Sequence, residues 1–121
     1  MSDYSILVVE DDDSIREVVK DYLEQTGYQV TVCSDGLKGL DRVKQGSYDL
    51  IILDIRLPHV NGIGLIKVSR KINPETPIIC ITAYGDHPEK VAVEESADLV
   101  IAKPFQLGEL STGITRLLKE K

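Results

Sequence analysis

Four consecutive acids, Glu10-Asp11-Asp12-Asp13, follow directly on the apolar stretch Ile6-Leu7-Val8-Val9. A buried strand that runs into a knot of like charge needs a reason. Two carboxylates about 4 Å apart repel by roughly 4 kcal/mol at an effective dielectric of 20. Either the acids fan out into water or a cation gathers them. Asp54, Thr82 and Lys103 stand in the same relation to apolar runs, following 50–53, 77–81 and 99–102. Chance could place one or two charges this way, because strands commonly end at polar residues, but carboxylates, a hydroxyl and an ammonium form a convergent set of mixed chemistry.

Each of these residues owes its place to the element before it. The runs 6–9, 50–53, 77–81 and 99–102 are continuously apolar and β-rich, as expected of strands covered on both faces. The run 29–33, Gln-Val-Thr-Val-Cys, alternates and reads as an edge strand. Amphipathic segments fill the gaps. The clearest, 14–26, sets Ile15, Val18, Val19, Tyr22 and Leu23 on one face. Ser14-Ile15-Arg16-Glu17 fits a capping box, and Gly27 fits the position just past the helix end. Leu107, Leu110, Ile114, Leu117 and Leu118 stripe the last segment. Leu37, Leu40 and Val43 mark a short helix weakened by Gly36 and Gly39. Ile63, Ile66 and Ser69 mark another after the Asn61-Gly62 turn. The segment 88–95 is the weakest, with Val91, Ala92 and Val93 to bury.

Strands alternating with helices from end to end predict an α/β fold, (βα)5, with a doubly wound five-stranded parallel sheet. In the flavodoxin-like order 2-1-3-4-5 the alternating second strand falls at the edge, as its pattern asks. That order separates strands two and four by three spacings, roughly 14 Å. Cys33 and Cys80 are then too far apart for a disulfide and read as small buried thiols. Ligands of open α/β sheets bind beyond the carboxyl ends of the strands, near the reversal of strand order. Strand one ends there in Glu10-Asp11, strand three in Asp54, strand four in Thr82 and strand five in Lys103. Edge strand two delivers Cys33-Ser34.

The 121 residues suit a single domain, 1–121, whose 42% hydrophobic and 28% charged content is ordinary for a globular protein. A net charge of −6 argues against nucleic acid or an anionic membrane as the main partner, since both select basic patches. Met1-Ser2-Asp3 opens no signal peptide, and no apolar run has bilayer-spanning length, so the cytoplasm is the expected location. With the chain ending at Lys119-Glu120-Lys121, just after the last helical segment, no appended DNA-binding module is expected within these residues. A stand-alone component and one domain of a longer protein both remain open.

Four stretches carry a family resemblance: LVVEDDDSIRE, LIILDIRLPHVNG, ITAYGD and AKPF, in that order along the chain. The chain resembles a response-regulator receiver domain of two-component signalling, similar to the chemotaxis regulators, over essentially its whole length. The resemblance implies that Asp54 is a phosphoacceptor forming an aspartyl phosphate. It implies Mg²⁺ held by Asp11, Asp54 and the backbone carbonyl of Arg56, with Glu10 reaching the ion through water. Lys103 and Thr82 would meet phosphoryl oxygens, Ala83 would leave room for the incoming group, and Lys103-Pro104 would be a cis peptide. A sensor histidine kinase or histidine phosphotransfer protein would donate the phosphoryl group. A downstream protein or output domain would read the result. Such a domain promotes its own phosphorylation and dephosphorylation without being a turnover enzyme.

Plainer roles suit the other polar residues. Asp12 and Asp13 read as loop and helix-start residues, favoured there by the helix dipole. His59 and His87 read as exposed loop residues, and Arg56 and Tyr84 as rim residues that would set phosphoryl lifetime. Two departures from the family pattern stand out. Val100 occupies the position where receivers usually carry Tyr or Phe, and the stretch between Thr82 and Lys103 is about one residue short. Both imply a modified coupling to output. A phosphorylation-silent binding module is the nearest rival. A dehalogenase-type hydrolase would want a second acid where Arg56 stands, and a flavodoxin-like cofactor site would want Gly, Ser or Thr where the acids stand.

Overall fold

The computed structural model describes residues 4–57, 60–83 and 96–119. Its elements run β1 (Ser5–Val9), α1 (Asp13–Thr26), β2 (Gln29–Cys33), α2 (Gly36–Gln45), β3 (Leu50–Asp54), α3 (Gly62–Ile72), β4 (Ile78–Thr82), β5 (Leu99–Ala102) and α4 (Leu107–Lys119). The five strands form one parallel sheet in the order β2-β1-β3-β4-β5. This is the expected order. The weak segment 88–95, Tyr84, His59 and His87 lie outside the described residues.

Burial explains why each run became the strand it did. Every residue of β3 and β4 is buried, as unbroken apolar runs in the middle of a covered sheet should be. The edge strand β2 buries only Cys33 and leaves Gln29 exposed. Cys33 and Cys80 are both buried and free, with β1 and β3 between their strands.

Two apolar cores flank the sheet. One joins Ile6, Val8, Ile52 and Ile101 to Val19 and Leu23 of α1 and to Leu110, Ile114 and Leu118 of α4. The other joins Leu7, Val9, Leu53 and Cys80 to Val43 of α2 and to Leu65 and Ile66 of α3. Val100 is partly buried against this second core.

Three helix expectations need correcting. Helix α1 is capped by Asp12, whose side chain accepts from the Ile15 amide at 3.0 Å, so Ser14 does not open it. Aspartate caps as well as serine, and it stands at the right spacing before Ile15. Val18 is 52% exposed instead of facing the core. Gly36 and Gly39 are buried and required by packing. A Cβ on Gly36 would lie 2.6 Å from Val60 Cβ, and one on Gly39 would lie 2.9 Å from a Val9 methyl.

Other local expectations hold. Gly27 ends α1 at φ 107°, with its amide donating to Glu24 and the Tyr28 amide to Leu23, both at 3.1 Å. That pair of bonds is the Schellman pattern, which needs a left-handed residue at this position. Asn61 caps α3 through the Ile63 amide at 2.7 Å.

Candidate functional site

The strand register assembles the site before any side chain is considered. Val9 lies beside Leu53 in the β1–β3 pairing, so Glu10 and Asp54 come one step further along neighbouring strands. Asp54 lies beside Ile81, and Thr82 beside Ala102, the residue before Lys103. Side chains on a strand alternate between faces. Glu10, Asp54 and Lys103 each stand two residues beyond Val8, Ile52 and Ile101, which share one core. Their backbones therefore carry them to the same face of the same rim.

The side chains meet there. Lys103 Nζ donates to Asp54 Oδ2 at 2.7 Å and lies 2.8 Å from Glu10 Oε1. The Arg56 amide donates to Asp54 Oδ1 at 3.0 Å, and the Asp12 amide to Glu10 Oε2 at 3.1 Å. Glu10 is 3% exposed and Asp54 6%, whereas Asp11 is exposed. Carboxylate oxygens of Glu10, Asp11 and Asp54 all lie within 4.8 Å of one another. Thr82 is buried at the end of β4, and its carbonyl accepts from the Lys103 amide at 2.7 Å. Ala83 is exposed beside it, and the Lys103-Pro104 peptide is cis.

Burial pushes the Glu10 carboxyl above its ordinary range, with the Asp54 charge adding to the rise and Lys103 and the Asp12 amide opposing it. Burial by itself would depress the Lys103 ammonium. The hydrogen bonds to Asp54 and Glu10 outweigh it and leave that group raised. Each charge here is tolerable because the opposite charge lies within hydrogen-bond reach.

The donor set fits a hard divalent cation. It consists of oxygens alone, two carboxylates are already buried, and a third stands at the mouth with access to water. A cation that keeps several waters and takes one or two carboxylates matches that arrangement. Beside the site, an apolar groove of about 500 Å³ runs between α1 and the stretch after β5, lined by Ile15, Val18, Pro104, Phe105 and Leu107 with Lys103 at its margin.

Two contributors escaped the sequence reading. Asp12, read as a loop or helix-start residue, also fastens Glu10 through its amide. Arg16, read as part of a capping box, donates from Nη1 to the Glu10 carbonyl at 2.9 Å.

With this geometry the family can be stated. Residues 6–115 match the response regulator receiver domain, and the chain belongs to that family. It is 39% identical over 117 residues to the response regulator ArlR of Staphylococcus saprophyticus, covering 96% of this chain and 53% of that protein. The receiver domain protein (CheY-like) of Methanospirillum hungatei superposes with a TM-score of 0.93 at 31% identity, over 98% of this chain and 96% of that one. TrrA of Thermotoga maritima, solved in complex with Mg²⁺-BeF, gives a TM-score of 0.85 at 33% identity, over 94% and 98%. The chain spans about half the length of the curated relatives it matches. It is thus a receiver domain of the two-component response-regulator type, a signalling domain. Among the described residues, no helix is long and apolar enough to cross a membrane.

Proposed function

We propose that Asp54 is the phosphoacceptor, and that it takes its phosphoryl group from a phosphohistidine on a sensor histidine kinase or histidine phosphotransfer protein, or from small phosphodonors. One observation carries the assignment. Asp54 is a buried carboxylate at the end of a central strand, held by Lys103 and the Arg56 amide and gathered with two more acids. An Asp54 oxygen forms the new P–O bond as the donor's P–N bond breaks, and the imidazole leaves with the bonding pair. Phosphoryl transfer asks a protein chiefly for placement and charge. Lys103 supplies a positive charge against one phosphoryl oxygen, and Thr82 a hydroxyl donor against another.

Asp11, Asp54 and the backbone carbonyl of Arg56 would hold Mg²⁺ directly, with Glu10 acting through water. The ion, when bound, offsets the negative charge brought together by the acids and the phosphoryl group. Return to the free state follows when water attacks phosphorus and the bond to Asp54 breaks, so the domain promotes both its own modification and its reversal. The apolar groove beside Lys103 is where the phosphohistidine-bearing partner would lie. Phosphorylation then alters binding to a downstream protein or output domain in the cytoplasm.

Intact mass after treatment with acetyl phosphate and Mg²⁺ tests the assignment. One added phosphoryl group is expected on the native chain and none on Asp54→Asn. An unmodified native chain overturns it and favours the silent binding module; equal modification of both overturns it by placing the acceptor on another residue.

A further inference from the structure

The four-acid run has two ends, and one side chain holds both. Arg16, on the first turn of α1, donates from Nη1 to the Glu10 backbone carbonyl at 2.9 Å. Its Nη2 pairs with the Asp13 carboxylate. The arginine side chain is only 14% exposed, although it sits among exposed acids at the protein surface. Glu10 is thereby fixed on every side: its amide donates to the Cys33 carbonyl at 3.0 Å, its carboxylate meets Lys103 and the Asp12 amide, and its carbonyl meets Arg16.

We infer that Arg16 is a positioning residue for the cation site: its guanidinium clamps the β1–α1 connection so that Asp11 is presented beside Asp54. This rests on the proposal that Asp11, Asp54 and Arg56 hold Mg²⁺. The clamp uses a property that lysine lacks. A guanidinium is a planar fork that can donate to two acceptors in fixed directions, whereas an ammonium is a point charge on a flexible stem. Asp11 is exposed and lies between the two clamped residues, so its placement depends on how firmly they are held. Partners that orient metal ligands are commonly worth about 10- to 100-fold in affinity.

Charge and placement make opposite forecasts, so two substitutions separate them. If Arg16 acted only as a positive charge, it would compete with the cation. Arg16→Lys would then leave Mg²⁺ affinity unchanged, and Arg16→Gln would strengthen it. The clamp instead requires both variants to bind Mg²⁺ about 10-fold more weakly or worse. Lysine and glutamine match arginine in helix propensity, so α1 itself stays intact.

The experiment is calorimetric titration of native chain, Arg16→Lys and Arg16→Gln with MgCl₂, at a temperature where circular dichroism finds each fully folded. The Glu10 and Asp12 amide resonances of the lysine variant are followed in parallel and are expected to shift before any Mg²⁺ is added. Native-like affinity in the lysine variant overturns the clamp while leaving the metal site standing. A native chain that takes no Mg²⁺ overturns the metal site and the clamp with it.

Discussion

Lys103 is shared by two buried carboxylates, and that sharing sets different expectations for two substitutions at the site. Lys103→Met leaves Glu10 and Asp54 facing each other with their shared cation gone. Removing one partner of a buried ion pair costs about 3 kcal/mol or more, because the remaining charge is stranded. Asp54→Asn removes one of the repelling acids instead; its single amide oxygen keeps one of the two bonds, to the Arg56 amide or to Lys103, and Lys103 stays paired with Glu10. Urea unfolding in EDTA should rank Asp54→Asn at or above the native chain and Lys103→Met well below both. A lysine variant as stable as native would mean that the acids never depended on it. These residues were legible in sequence because each follows a β-run directly, so its place on the rim could be counted along the chain. Arg16 was not legible in that way. It acts on a backbone carbonyl six residues earlier, and no side-chain pattern announces such a contact.

At the level of elements, strands were easier to read than helices for a physical reason. A covered strand is an uninterrupted apolar run, and Ile79 in β4 or Leu53 in β3 has no alternative place to go. Helix faces also depend on what lies opposite. Gly36 and Gly39 looked like weaknesses because intrinsic propensity was counted without Val60 and Val9, which press against them. Leu65, fully buried, went unread for the opposite reason: its partners come from distant parts of the chain. Helix α3 carries a clean test of the distinction. Gly62 starts it, and a Cβ there would lie 2.7 Å from Ile55 Cα and 2.9 Å from the Ile55 carbonyl oxygen. Backbone cannot yield as a side chain can, so Gly62→Ala should lose about 2–3 kcal/mol through overpacking just beyond Asp54. Gly64, two residues on, is exposed and has nothing within 4 Å of an added Cβ. Gly64→Ala should gain about 0.5–1 kcal/mol from reduced chain entropy. Denaturant midpoints of the two variants should move in opposite directions; a rise in both would mean that local propensity alone governs this helix.

For the molecule as a whole, ligand and proton linkage read the site and the core separately. If the acids hold Mg²⁺ in the folded state alone, free Mg²⁺ at one hundred times its dissociation constant adds about 2.7 kcal/mol. Thermal midpoints of the native chain should climb with MgCl₂, and those of Asp54→Asn should climb less. The core responds to protons instead. Cys80 lies fully buried in the middle of the sheet, and burial, aided by the Asp54 charge, pushes its thiol from an ordinary 9.0 to about 12. The unfolded chain releases this proton above about pH 9 while the folded chain keeps it until about pH 12. A raised folded value means that the contribution is fully present below the unfolded value and is lost as pH climbs toward the folded one. By pH 10 the loss reaches about 1.4 kcal/mol for one proton. Cys80→Ala costs about 1 kcal/mol at pH 7 through lost packing, yet it has no thiol to titrate. Cys33 is shifted in the same direction and is common to both chains, so it cancels in the difference. Urea unfolding at half-unit steps from pH 7.5 to 10 should therefore show the gap between native and Cys80→Ala closing above pH 9, vanishing at about pH 9.5 and slightly reversed by about pH 10. A gap that stays constant would place the Cys80 thiol in contact with water, against the dry sheet interior on which the rim geometry depends.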